Sequence, residues 1–181
     1  AIRINGQVWA DAIRTTAGAN QVSYADGAAT VRSGEGDVPG VAIDVQALGG
    51  MYANSVRLIG TEAGVGVRSE GFIASLSGDI ELSAQGDVTI EASGRLQAAG
   101  DARIDATNLT NRGTVISSQA VHLKAESTLR NHGVVAAQSN TSVTAVDIRN
   151  VGDMFAGLDP GGTLSGPGSI SVTGKNVLSN G

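Results

Sequence analysis

The chain has 181 residues, a net charge of −5, no cysteine and only 3% aromatic residues. The acidic balance argues against nucleic-acid binding, and the absence of cysteine excludes disulfides and thiolate metal sites. No stretch approaches the roughly 18 apolar residues that a membrane-spanning helix needs. Since large side chains are scarce, the composition favours a thin aliphatic core over a globular one.

Residues 1–55 are predicted to form the first coils of a repetitive β-structure. An irregular loop over 34–50 is expected to interrupt them, because a proline and paired glycines break the strand pattern there. Trp9, Tyr52 and Phe72 could stack on sugar rings if they were exposed. A place in the core or at the end of the structure is the more conservative interpretation of these aromatic residues.

Residues 56–156 contain three strand patterns, each of which recurs about every 20 residues. Apolar or small residues alternate with polar ones, so the first set is predicted to face a core and the second to face water. A repeat this short cannot bury a core alone, and successive copies must therefore stack. We predict an all-β, three-sided parallel β-helix (a β-solenoid). The three strand patterns begin at Ile80, Ala102, Val121 and Thr141; at Ile90, Leu109, Leu129 and Ile148; and at Gly94, Gly113, Gly133 and Gly152.

Asparagine marks one position of this repeat, at Asn111, Asn131 and Asn150, and Asn180 is predicted to resume the column. Stacked amides can hydrogen-bond along a column, so we predict a structural ladder and not a binding site. The glycine two residues after each asparagine is predicted to adopt a positive φ in a turn.

An outward-facing position of the repeat is predicted to hold Glu91, Thr110, Arg130 and Arg149. Arg130 and Arg149 would then lie in adjacent coils and repel each other mildly, unless an anion bridges them. A solvated surface is the simpler interpretation.

The periodicity lapses over residues 157–168, which we interpret as an inserted Pro/Gly loop. Ile170 restores the first strand pattern, so residues 169–181 are predicted to be a resumed coil that the end of the sequence truncates.

The sequence predicts no enzyme and no cofactor. Asp79 and Asp101 could approach each other in adjacent coils as a carboxylate pair, but each follows a glycine, which is typical of turn capping. Asp105 could similarly lie near Lys124. His122 and His132 lack zinc-ligand spacing and are predicted to be surface residues.

Arg57 and Arg68 lie in one presumed coil and could form a local basic patch. This leaves open a discrete glycan-binding module of the heparin type as an alternative function, with a carbohydrate-active β-helix enzyme as a further alternative. The acidic balance of the whole chain argues against the glycan module.

Residues 47–67, ALGGMYANSVRLIGTEAGVGV, resemble a hallmark of the filamentous haemagglutinins, which are exoproteins of bacterial two-partner secretion. Residues 5–14, NGQVWADAIR, and residues 17–22, AGANQV, are similar to the same family, as are the Leu-x-Asn-x-Gly coils. The resemblance extends over essentially the whole chain.

The resemblance implies a right-handed β-helix that is secreted or displayed on the bacterial cell surface, after export through an outer-membrane transporter. It implies a structural and adhesive shaft that mediates attachment to host cells through host receptors or glycans, and some family members carry a toxin at the far C-terminus. The absence of cysteine suits export of an unfolded chain. The Asn-Pro-Asn motifs of the family's secretion domain do not occur, so we expect this chain to be the shaft just after that domain.

Overall fold

The computed structural model describes residues 1–34, 36–37 and 39–179, and every regular element of this part of the chain is a β-strand. In chain order the first eleven strands are β1 (Ile2–Ile4), β2 (Gln7–Trp9), β3 (Ala12–Ala17), β4 (Asn20–Val22), β5 (Ala29–Val31), β6 (Val41–Val45), β7 (Gly50–Ala53), β8 (Ser55–Gly60), β9 (Gly66–Ser69), β10 (Phe72–Ser75) and β11 (Ile80–Ala84). The remaining strands are β12 (Asp87–Ile90), β13 (Arg95–Ala98), β14 (Ala102–Asn111), β15 (Thr114–Ser117), β16 (Val121–Asn131), β17 (Val134–Ala137), β18 (Thr141–Thr144), β19 (Asp147–Asn150), β20 (Asp153–Ala156), β21 (Ile170–Thr173) and β22 (Asn176–Ser179).

The strands wind into a three-sided parallel β-solenoid. A 13-stranded sheet covers two sides, because β14 and β16 each run across a corner, and a 7-stranded sheet forms the third side. We call these sides the first face (β3, β8, β11, the starts of β14 and β16, β18 and β21), the second face (β1, β6, β9, β12, the ends of β14 and β16, β19 and β22) and the third face (β2, β7, β10, β13, β15, β17 and β20).

The core is a single aliphatic column shared between coils. Leu82, Ile104, Leu123 and Val143 follow one another along the first face, and each is at most 2% exposed. Because each coil covers the apolar side chains of the one before, the apolar area is buried by stacking alone. The thin core predicted from the composition is therefore confirmed.

The predicted strand register is confirmed on the first and third faces. Ile80, Ala102, Val121 and Thr141 lie in one row, and so do Leu96, Val115, Val135 and Met154. On the second face the register predicted for one coil was wrong by two residues. Ile90 was expected opposite Leu109, but Val88 pairs with Leu109, and Ile90 pairs with Asn111. Both Val88 and Ile90 face inward, so an alternating pattern fits either register equally well.

This shift also corrects the outward column. Thr89 and not Glu91 precedes Thr110, whereas Arg130 and Arg149 do lie in adjacent coils. At the far end Ser179 pairs with Asn150 and occupies the place predicted for Asn180, which itself lies outside the described residues.

The glycines of the repeat serve a different purpose from the one predicted. None of the three glycines Gly113, Gly133 and Gly152 has a positive φ. A Cβ atom on Gly133 would instead lie 2.0 Å from the carbonyl oxygen of Gly113 in the adjacent coil. The corner between the second and third faces therefore requires glycine for close approach of the backbones and not for a left-handed turn.

The irregular excursion lies earlier than predicted. Within the expected loop 34–50, Val41–Val45 is an inner strand, β6, that pairs with β1 and, after a register shift between Val41 and Ile43, with β9. The chain leaves the solenoid before it, in the antiparallel hairpin of β4 and β5. Alternation is hard to see in β6 because four of its five residues are buried.

Residues 157–168 lie between β20 and β21, where Leu158 and Leu164 form an isolated antiparallel bridge. The described residues include no helix of the length and apolarity needed to cross a membrane.

Candidate functional site

The asparagine column is a continuous amide ladder inside the solenoid. Nδ2 of Asn111 donates to Oδ1 of Asn131, and Nδ2 of Asn131 donates to Oδ1 of Asn150, both at 2.8 Å. Oδ1 of Asn111 also accepts from the backbone N–H of Gly113 at 3.2 Å. Asn111 and Asn131 are almost completely buried, so their amides are used within the fold and are closed to an external ligand.

Replacing Asn131 with Ala should destabilise the protein by about 2–3 kcal/mol, since it leaves the buried amides of Asn111 and Asn150 without their shared partner. Urea denaturation followed by circular dichroism measures the change. Asn5→Ala is the matched control, because Asn5 is exposed, and it should change the stability by no more than about 0.5 kcal/mol. Equal stability of the two variants would contradict a structural role for the ladder.

Arg57 and Arg68 do not form one basic patch. Arg57 lies on the first face, where Nε is 3.0 Å from a carboxylate oxygen of Glu81. Arg68 lies on the second face, with Nε 3.1 Å from Asp44 and a terminal nitrogen 3.0 Å from Glu70. Each guanidinium already has carboxylate partners, and glycan binding by this pair stays a prediction.

Asp44 is the partner that sequence analysis missed. Although burial by itself raises the pKa of Asp44, hydrogen bonds from Arg68 and Gln46 and the positive charges of Arg68 and Arg3 outweigh it and hold the pKa below its ordinary value. Asp44 can be recognised as a partner of Arg68 only when the strand register is known, because the register places Arg3, Asp44 and Arg68 in three successive coils.

A depressed pKa in the folded state means that Asp44 stabilises the fold above its unfolded pKa and that this stabilisation is lost as the pH falls through the folded pKa. Thermal unfolding between pH 6 and pH 2.5 should therefore show a larger loss of stability for the wild type than for Asp44→Asn, starting from about pH 4. Parallel curves for the two proteins would show that the Asp44–Arg68 pair does not contribute.

The aromatic residues Trp9, Tyr52 and Phe72 lie outside the core, which corrects the expectation of a core or end-capping place. Trp9 and Tyr52 stack with ring centroids 4.2 Å apart, and Tyr52 meets Phe72 edge-on at 5.6 Å. The guanidinium of Arg95 lies over the Phe72 ring, 5.7 Å from its centroid. Gly50 makes room for this column, because a Cβ there would lie 2.8 Å from the Tyr52 ring.

This aromatic column runs along the outer surface of the third face, and Trp9 is 65% exposed. Stacked aromatic pairs contribute about 0.5–1.5 kcal/mol beyond the area they bury. The column therefore stabilises the contact between the first three coils. The hairpin of β4 and β5 lies between the first and the second of these coils. Tyr52 is enclosed between the Trp9 ring and the edge contact with Phe72, and sugar stacking by these residues stays a prediction.

The carboxylates that could have formed a hydrolytic pair are engaged within the fold. Asp79 Oδ1 accepts the backbone N–H of Asp101 at 2.8 Å, and Asp101 Oδ1 accepts the N–H of Ala120 at 3.0 Å. Arg103 lies between the two side chains and forms an ion pair with each. These contacts are those of a turn-capping column.

The two histidines lie at the surface. His122 is half-buried, with Nδ1 2.8 Å from Oγ of Ser142, and His132 is exposed. Asp105 pairs in register with Lys124. Among the residues that the structure describes, no three His, Asp or Glu side chains converge to hold a metal ion.

Comparison with known proteins agrees with this architecture. The family model of the TPS secretion domain matches residues 1–90, and that of the haemagglutinin repeat matches residues 97–181. No solved structure matches the chain significantly.

Three similar proteins illustrate the relationship. The Toxin CdiA of Yersinia pestis is 36% identical over 141 residues, which is 77% of this chain and 4% of that protein. The 16S rRNA endonuclease CdiA of Enterobacter cloacae is 39% identical over 145 residues, 80% of this chain and 4% of that protein. The tRNA nuclease CdiA of Yersinia mollaretii is 32% identical over 178 residues, 96% of this chain and 6% of that protein. The chain thus spans only a small part of these relatives.

The match over residues 1–90 corrects the position expected within the family. The chain does not lie just after the secretion domain, because its first half is similar to that domain itself. The absence of the Asn-Pro-Asn motif therefore did not indicate that the secretion domain is missing, since residues 1–90 are similar to that domain without it.

Proposed function

Because this chain belongs to the filamentous haemagglutinin-like proteins that bacteria export by two-partner secretion, we propose that it joins an export segment to the base of an extracellular shaft. Residues 1–90 would engage the outer-membrane transporter, and residues 97–181 would form the first coils of the shaft. The protein is secreted or exposed at the cell surface. Its work in this proposal is mechanical: a stiff rod holds distal regions away from the cell.

One observation carries the proposal. The strands of the two matched segments pair without a break, because β14 pairs with β11 and β12 on one side and with β16 on the other. The buried residues likewise form one cluster from Ile13 to Ile148. In a solenoid each coil is stabilised by its neighbours, so a coil that has folded outside the membrane offers a template to the next.

We further propose that the distal regions served by this shaft act on other cells. Attachment to host cells is one such use, and the names of the relatives add delivery of a toxin or an RNA-cleaving nuclease. We place a nuclease activity outside residues 1–181, since the candidate carboxylate pair, Asp79 and Asp101, is committed to Arg103 and to backbone N–H groups.

The export role can be tested with a secreted reporter fused after residue 181 and produced together with its outer-membrane transporter. Removing residues 1–90 should abolish appearance of the reporter in the medium, whereas removing whole coils within residues 97–156 should reduce it much less. Equal export after both deletions would overturn the division into an export segment and a shaft.

A further inference from the structure

The second face carries a groove in which three cations converge near its C-terminal end. Arg130 of β16 and Arg149 of β19 lie directly opposite each other in adjacent coils. Lys175, in the turn before β22, lines the same groove, which has a volume of about 640 Å³. We call Arg130, Arg149 and Lys175 the cationic groove.

Four other arginines of the solenoid surface are neutralised by a neighbouring coil. Arg57, Arg68, Arg103 and Arg112 each lie 3.0–3.1 Å from a carboxylate of a neighbouring coil. Within residues 1–34, 36–37 and 39–179, none of the three groove cations has a carboxylate within 4.0 Å. Among the described residues Arg14, Arg95 and Lys124 also lack such a partner, and the groove is distinguished by the fact that three unpaired cations line it together.

One column of the second face contains both paired and unpaired arginines. Arg68 lies above Asp44 in that column and is neutralised by it, whereas Arg149 lies above Arg130, a like charge. Thr89 and Thr110 occupy the positions between them, so a neutral side chain fits the same site. Two adjacent arginines are therefore not a requirement of packing, and their repulsion lowers the stability of the empty surface.

One carboxylate does line the groove, and it is already occupied. Oδ1 of Asp147 accepts a hydrogen bond from Nδ2 of Asn176 at 2.6 Å. With three cations and one carboxylate, the groove has a local positive charge on a chain whose net charge is −5. The charge excess matches a dianion.

We propose that the cationic groove binds a phosphate monoester. Strands of adjacent coils are about 4.8 Å apart, so the two guanidinium groups can both reach one tetrahedral group. A phosphate monoester carries close to two negative charges at neutral pH and offers three acceptor oxygens. The forked guanidinium suits such a group, and the ammonium of Lys175 adds a third donor.

The test is a calorimetric titration of the full 181-residue chain with glycerol 3-phosphate, at constant ionic strength. Saturable binding is expected, and Arg149→Gln should weaken it at least about tenfold, because one charge-assisted contact is lost. Arg57→Gln is the matched control, since Arg57 is also exposed but is paired with Glu81, and the affinity of this variant for glycerol 3-phosphate should stay within about twofold of the wild type. Circular dichroism checks that both variants are folded.

A second arm identifies the source of the phosphate group. Vesicles of phosphatidylcholine with and without phosphatidic acid present the same monoester on a lipid surface. Binding to the phosphatidic acid vesicles alone would assign the groove to a membrane-borne phosphate, and binding to glycerol 3-phosphate would assign it to a soluble or sugar-borne one. The proposal is overturned if neither probe binds, if sulfate binds as tightly, or if Arg149→Gln binds as the wild type does.

Discussion

Replacing Leu123 with Asp should unfold the C-terminal coils of the solenoid. Leu123 is 2% exposed and lies between Ile104 and Val143 in the aliphatic column. A carboxylate there has no partner in a core made of aliphatic side chains, and such a change costs about 4–5 kcal/mol or more. This is comparable with the whole stability of a domain of ordinary size.

The damage should remain local, because each coil depends mainly on its neighbours. Hydrogen exchange measured by mass spectrometry should show lost protection in β16, β18 and β19, with protection kept in β8 and β9. Thr144→Asp is the matched control, since Thr144 is exposed and pairs in register with Lys124. Uniform loss of protection along the chain would mean that the solenoid folds as a single cooperative unit.

The same variant tests whether folding outside the membrane helps to draw the chain through the transporter. If stacking of coils supplies free energy for export, Leu123→Asp should slow appearance of the protein in the medium, and Val143→Asp should do the same. Unchanged export of both variants would separate secretion from folding.

The repeat made most of the fold predictable from sequence. Equivalent positions of successive coils lie in the same environment, so the apolar residues Leu109, Leu129 and Ile148 together indicate one inward-facing position. The register failed at Ile90, where the column has no asparagine to mark it and a two-residue slip keeps every apolar side chain inside. An alternating pattern cannot reveal a register shift of two residues.

The outer surface was much less predictable. Trp9 and Tyr52 are stacked, but the hairpin excursion between them makes their separation in sequence about twice that of a normal coil, so the repeat length did not align them. The pairing of Asp44 with Arg68 was missed because Asp44 lies within residues 34–50, which were predicted to be an irregular loop. Outward side chains share no common core, and their partners become visible only after the register is known.

Replacing Gly133 with Ala should destabilise the solenoid by about 3 kcal/mol, although adding a single methyl group to glycine usually stabilises where the backbone permits it. The added Cβ would lie 2.0 Å from the carbonyl oxygen of Gly113. That oxygen cannot withdraw freely, because it accepts the backbone N–H of Val134 at 2.9 Å. Relief of the clash would separate adjacent coils next to the buried amide of Asn131.

Gly166→Ala is the control that distinguishes this close approach from the general effect of losing a glycine. Gly166 lies in the loop after β20, its φ is not positive, and a Cβ there would meet nothing within 4 Å. Its unfolding midpoint in urea should match or slightly exceed that of the wild type, whereas Gly133→Ala should unfold at a clearly lower concentration. If the two variants unfolded together, the close contact between coils would not be the reason for glycine at this corner. The recurring Asn-x-Gly would then need another explanation, and the spacing between coils at Gly113, Gly133 and Gly152 would be less tightly determined than their geometry indicates.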